Sequence, residues 1–168
     1  MDLSIIVPAL NEEKRIRGCL GSIKAQKTGL TYELIVSDSG SSDNTVSIAR
    51  EHTDKIVICE EKGTARARNE GAKLATGEIL VFIDSDTVIC PGYLDYVHAA
   101  FKDKKVLAVS TAFKFTNRRP KFMAAEYVTN IYYIARSILR GATLPGFNIC
   151  IRREVFERVG GFRLCHLE

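Results

Sequence analysis

The stretch GEILVFIDSDTVI, Gly77–Ile89, decides the fold. From Ile79 to Ile83 every side chain is apolar, without the alternation of a half-exposed strand, so this segment reads as a strand buried on both faces, as in parallel sheets. It runs directly into Asp84 and Asp86. Two carboxylates two positions apart in extended chain share a face and repel each other unless a proton or a cation lies between them. A hard divalent cation, Mg²⁺ or Mn²⁺, takes oxygen ligands in this way, usually with substrate phosphates completing its shell. A helix cap or a solvated turn is the plain alternative for an isolated Asp-x-Asp.

Upstream of this stretch, strands and helices alternate. Leu3–Val7 reads as a buried strand, and Asn11 follows at an N-cap position with Glu12 and Glu13 in the first turn of a helix to about Ala25. Tyr32–Val36 is a second strand, and the turn DSGSSDNT leads to a helix start at Asp43. Lys55–Cys59 is a third strand, Thr64–Ala75 a helix closed by Gly77, and Ile79–Ile83 the fourth strand. This βαβαβαβ order predicts an α/β domain with a mostly parallel sheet and helices on both faces.

Downstream of Pro91 the regularity weakens. A helix over about Gly92–Phe101, a strand around Val106–Phe115 and the basic loop KFTNRRPK precede a helix from about Phe122 to Leu139. That helix is apolar on a broad face and contains Tyr127, Tyr132 and Arg136; it reads as a core helix, with a helix lying on a membrane surface as the alternative. LPGFNICIRREVFERVGGF supplies a loop, a short strand and a short helix capped at Gly160 and Gly161. No repeat or flexible linker divides the 168 residues. A single domain is expected.

Composition narrows the class. With 46% hydrophobic and 26% charged residues the chain is an ordinary globular one. Its first apolar run, LSIIVPAL, follows an acid and is broken by Pro8, unlike a signal peptide. No apolar run reaches the roughly 18 residues of a membrane span. The five cysteines are scattered and form no CxxC pair, which argues against a disulfide framework or a structural zinc site and for a reducing, cytoplasmic compartment. Residues 1–100 carry 11 Lys/Arg against 15 Asp/Glu, whereas residues 101–168 carry 13 against 5. The basic second part suits an anionic partner, such as a membrane surface, a lipid phosphate or nucleic acid; a merely solvated basic surface has equal weight.

In open α/β sheets ligands bind beyond the carboxyl ends of the strands. Three polar groups gather at that edge on this reading: PALNEE after the first strand, SDSGSSD after the second and DSD after the fourth. In order along nearly the whole chain, SIIVPALNEEKRI, ELIVSDSGSSDNT, GTARARNEGAKLATGEILVFIDSD and GFNICIRREVFERVGGF resemble the family 2 glycosyltransferases, inverting, nucleotide-sugar-dependent enzymes of the GT-A (Rossmann-like) fold. The resemblance implies that residues 1–90 form a nucleotide-binding half and residues 91–168 an acceptor-side half. It implies a nucleotide-diphospho-sugar donor, a saccharide or lipid-linked acceptor and no nucleic-acid partner. Pro8, Ala9, Glu12 and Asp38 would line the base and ribose site, Arg66 or Arg68 would steady the nucleotide, and Asp84 and Asp86 would hold Mg²⁺ or Mn²⁺ on the diphosphate. Arg66 and Arg68 are two apart on a helix and cannot share a face, so one is expected at the site; the resemblance favours Arg68, next to Asn69.

Two positions depart from the family pattern. Ser39 stands where the family often has a second acid beside Asp38, and the catalytic base expected beyond Gly-Gly-Phe has only Glu168 to fill it. Glu168 then reads either as the base or as the first member of a Glu-Asp pair whose partner lies beyond this chain. Transfer to an already ionised polyprenyl phosphate at a membrane surface would need no strong base. Two other functions share parts of the pattern: a sugar nucleotidyltransferase would carry a glycine-rich phosphate loop where this chain has PALNEE, and a non-enzymatic regulatory module would carry its acidic pair after the first strand.

Overall fold

The computed structural model describes residues 1–115, 119–140 and 148–164. Six strands form one sheet in the order β3-β2-β1-β4-β6-β5. Strands β1 (Leu3–Ala9), β2 (Tyr32–Asp38), β3 (Ile56–Ile58) and β4 (Ile79–Phe82) are parallel, whereas β6 (Ile149–Arg152) runs antiparallel to both β4 and β5 (Ala108–Ser110). The expected mostly parallel sheet is what forms. Its central strand β1 is buried along its whole length, because helices cover both faces and the apolar side chains divide between them. Leu3, Ile5 and Val7 pack with Ile16, Cys19, Leu20 and Ile23 of α1 (Ile16–Lys24) and with Leu94 and Val97 of α4 (Tyr93–Ala100). Ile6, Ile35, Leu80 and Phe82 face the other way, toward Ala72 and Ala75 at the end of α3 (Thr64–Lys73) and Phe156 of α6 (Arg153–Arg158).

Three elements differ from the sequence reading. Helix α1 begins at Ile16, not after Asn11. Asn11 takes a left-handed φ of 54°, and its side-chain oxygen accepts the Ser42 N–H at 2.9 Å, so it ties two loops together instead of capping a helix. The remaining loop N–H groups are satisfied the same way: Glu12 donates to Thr45 Oγ1 at 2.8 Å and Glu13 to Asp43 Oδ2 at 3.1 Å. The helix expected from Asp43, α2, covers Thr45–Arg50, with Asp43 accepting the Thr45 N–H at 3.0 Å.

The strand expected over Val106–Phe115 keeps only Ala108–Ser110 on the ladder. Beyond it, Phe113 and Phe115 turn to meet the long helix α5 (Pro120–Arg140), exchanging backbone bonds with Asn130 and Glu126. Helix α5 is not the core helix expected from its apolar content. None of its described side chains is buried or belongs to either core cluster.

At the amino edge of the sheet one buried carboxylate organises the strand starts. Glu33 accepts bonds from Ser4 Oγ at 2.5 Å, the Thr76 N–H at 2.7 Å and Thr76 Oγ1 at 2.8 Å, and pairs with the Lys55 ammonium. Burial alone would push its carboxyl up; the Lys55 ammonium and the bonds from Ser4 and Thr76 more than offset that and hold it down at about 2. Ser4 Oγ in turn accepts the Gly77 N–H at 2.8 Å, so β1, β2, β3 and the turn into β4 meet on this group.

Glu33→Gln should therefore lower stability at neutral pH by about 1–3 kcal/mol, the cost of removing one charged partner from a buried network. Because the folded carboxyl is depressed, its contribution is complete above about 4.5 and is lost as pH falls toward about 2. Denaturant melts of both proteins should show the difference at pH 7 and its shrinkage across that acid window.

Candidate functional site

The carboxyl edge of the sheet is built differently. β4 leaves the ladder at Phe82, and the Ile83 N–H still reaches Ile6 O at 3.0 Å, which sets Asp84 beside the end of β1. The chain then turns, with the Thr87 N–H on Asp84 O at 2.9 Å. Asp84 and Asp86 thus sit on a turn, not in the extended chain assumed from their spacing. They nevertheless border the same pocket of 380 Å³. Pro8, Ala9 and Glu12 line it from the β1 loop, Ser39 from the β2 loop, and Gly63, Thr64 and Arg68 from α3.

Arg68 is buried, and its Nη2 donates to Asp84 Oδ1 at 2.7 Å. Asp86 is exposed at the mouth. The amino end of α3 opens on the pocket through Gly63 and Thr64, so the positive end of the helix dipole faces the same space as the arginine. Beneath the turn, Cys19 donates its Sγ–H to Asp84 O at 3.6 Å. Burial, with Asp86 and Asp84 nearby, pushes that thiol up to about 12, so it is a neutral donor at physiological pH and not a thiolate ligand.

Two sequence-selected residues stand elsewhere. Arg66 points away from this pocket: its Nη2 pairs with Glu61 Oε2 at 2.6 Å, and it borders two other cavities. Asp38 is 1% exposed and does not line the pocket. Its Oδ2 accepts the Gly40 and Ser41 N–H groups at 2.9 and 2.7 Å, and its Oδ1 the Ser41 hydroxyl at 2.5 Å. That is the turn-forming role a carboxylate takes at the end of a strand. Glu168 lies outside the described residues. A larger groove of 570 Å³ between α3 and α6 borders neither aspartate.

One contributor was not singled out from the sequence. Asn69 donates its Nδ2–H to Phe162 O at 2.9 Å and accepts the Phe162 N–H on Oδ1 at 2.9 Å. This two-bond clamp holds the Phe162 ring 5.2 Å from the Arg68 guanidinium and edge-on to Phe82 at 5.0 Å. Gly161 makes the approach feasible: its φ is 78°, and a Cβ there would stand 2.7 Å from Asn69 Oδ1. Asn69 follows Arg68 directly, but its partner is 93 residues away, so only the tertiary structure reveals the link.

The sequence model described as "Glycosyl transferase family 2" matches residues 4–160. The chain belongs to this family. Among its family relatives, glycosyltransferase AglE of Haloferax volcanii is 31% identical over 169 aligned residues, covering 95% of this chain and 55% of that protein. Among solved structures, the mannosyltransferase PcManGT from Pyrobaculum calidifontis, in complex with GDP-Man and Mn²⁺, matches with a TM-score of 0.75 and 31% identity over 96% of this chain and 47% of the other. S. aureus TarS 1-349 in complex with UDP-GlcNAc matches with a TM-score of 0.76 and 26% identity over 96% and 48%. The fold is accordingly the GT-A fold of family 2. The chain spans about half the length of the relatives it matches.

Asn69→Ala should release Phe162 and remove two bonds to a backbone segment that has no other anchor of this kind among the bonds described above. A loss of about 1–3 kcal/mol in unfolding free energy is expected, read from urea melts. Asn69→Asp, which sets a carboxylate oxygen against the Phe162 carbonyl in place of the donor, should lose at least as much.

Proposed function

We propose that this chain carries the donor site of a glycosyltransferase that moves a sugar from a nucleotide-diphospho-sugar to an acceptor with inversion, assisted by Mg²⁺ or Mn²⁺. The observation that carries the reading is the convergence of Asp84, Asp86, Arg68 and the amino end of α3 on one pocket at the carboxyl edge of the sheet. The family supports the reaction class, and PcManGT with GDP-Man and Mn²⁺ supports a nucleotide-sugar and a divalent ion. A sugar nucleotidyltransferase and a regulatory module lack that family support.

The donor set fits a hard cation. Asp84 and Asp86 offer carboxylate oxygens at one pocket mouth, and among the described residues no group of three or more His, Cys, Asp or Glu side chains is placed to hold a metal ion. Two carboxylates suit an ion whose remaining ligands are water and substrate phosphate. When bound, such an ion neutralises charge on the departing nucleoside diphosphate. In this reading Arg68 fixes the orientation of Asp84, the α3 amino end receives phosphate oxygens, and Pro8, Ala9 and Glu12 bound the nucleoside. Asp38 supports the nucleoside side through the turn that presents Ser39. Glu168 is retained as the candidate base for a saccharide hydroxyl; an ionised lipid phosphate would need no such base.

Because Asp84 and Asp86 would fill only part of a cation's shell, metal and nucleotide should bind together. In calorimetry, UDP or GDP should bind tighter in Mn²⁺ than in EDTA by a factor on the order of 5 to 150. Asp86→Ala should abolish that difference while leaving the fold intact, since Asp86 is exposed and makes none of the ion pairs described above, whereas Asp84→Ala would also disturb Arg68. Equal affinity in both buffers would overturn the metal assignment.

A further inference from the structure

Helix α5 is turned inside out relative to an ordinary surface helix. Phe122, Glu126, Asn130 and Tyr133, spaced i, i+4, i+8 and i+11, form its half-buried stripe. That stripe meets the 113–115 segment through one ring contact, Phe122 with Phe115 at 5.8 Å, and through polar contacts: Asn130 Nδ2 donates to Phe113 O at 2.9 Å, and Glu126 Oε2 accepts the Phe115 N–H at 2.9 Å. The neighbouring stripe, Met123, Tyr127, Ile131 and Ile134, has the same spacing and faces out. With Val128 and Tyr132 beside it, these side chains are 43–69% exposed. A globular surface helix buries its apolar stripe and shows its polar one; contiguous apolar surface left outside marks a docking face.

Charge and position select the occupant. Lys114, Arg119, Lys121 and Arg136 are exposed on α5 or just before it, and the helix's single acid, Glu126, is turned inward onto Phe115. No described helix is long and apolar enough to cross a membrane, but a basic helix with one broad apolar face and tyrosines on it has the composition of a helix that lies in the headgroup layer. β5 runs antiparallel to β6, which runs antiparallel to β4. β5 therefore points the same way as β4 and delivers the chain toward α5 at the sheet edge that carries Asp84 and Asp86.

We propose that the outer face of α5, built on Met123, Tyr127, Ile131 and Ile134 and flanked by Lys121 and Arg136, docks on an anionic phospholipid surface. The donor pocket is then held at the edge of the sheet nearest the bilayer, where a lipid-linked acceptor is presented and a soluble sugar is not favoured. Docking itself requires neither nucleotide nor metal; only the orientation of the donor pocket rests on the proposed function.

The test is flotation of the 168-residue chain with vesicles of phosphatidylcholine alone and of phosphatidylcholine mixed with phosphatidylglycerol, at low and at physiological salt. Binding to the anionic vesicles is expected, falling about tenfold or more in Tyr127→Ser/Ile131→Ser, which removes two exposed apolar groups. It should fall about fivefold for each charge removed in Lys121→Gln and Arg136→Gln. UDP binding in Mn²⁺ by the same variants, unchanged, shows that the fold and donor pocket survive. Absence of binding to either vesicle overturns the proposal, as does binding indifferent to the Tyr127 and Ile131 substitutions. Concentration-dependent self-association abolished by those substitutions would overturn it in favour of a second copy as the occupant.

Discussion

A guanidinium below the surface constrains the whole carboxyl edge of this protein. Arg68 is buried on α3, and a charge taken out of water is tolerated only where an opposite charge and well-placed partners receive it. Asp84 supplies the charge at 2.7 Å and the Phe162 ring supplies a face at 5.2 Å. Satisfying one side chain thus ties together three segments that are distant in sequence: helix α3, the turn after β4 and the Gly160–Phe162 corner. The position of the first aspartate follows from the demands of an arginine, and the second aspartate is left free of that duty and open to the pocket.

The two ends of the sheet divide the work between them. At the amino edge Glu33 is enclosed, with bonds to Ser4, Thr76 and Lys55 filling its oxygens, and such a saturated carboxylate contributes to stability and has little capacity left for a ligand. At the carboxyl edge Asp86 is exposed. Its lone pairs are what a cation or substrate can use. The same functional group, a carboxylate, is a structural strut at one end and open to the pocket at the other, and saturation by neighbours makes the difference.

Much of this was legible in the sequence because the relevant constraints are local. An unbroken apolar run followed by acids marks a buried strand and its carboxyl end, and the alternation of such runs with helices fixes a parallel sheet. That only one of Arg66 and Arg68 would face the pocket was legible, because residues two apart on a helix face different ways, but the spacing did not say which. What escaped depends on distant partners. Asn11 looks like a cap until Ser41 and Ser42 appear beside it. Asp38 is a different case: its partners Gly40 and Ser41 are only two and three residues on, and its oxygens serve that local turn. The amphipathic pattern of α5 was visible, but periodicity defines a stripe without saying whether it turns toward the protein or away from it.

The antiparallel strand β6 has one more consequence. Ser110 and Ile149 are partners on the same rung of the ladder, so β5 ends and β6 begins at adjoining points of the sheet. Closing the excursion between them costs conformational entropy that grows only with the logarithm of its length. The intervening segment can therefore be lengthened, shortened or replaced wholesale while the strands that position Asp84 and Asp86 keep their register. In evolutionary terms the rung is a cassette boundary: one scaffold carrying the Asp84 and Asp86 pocket can be fitted with different intervening segments, without relearning how to fold.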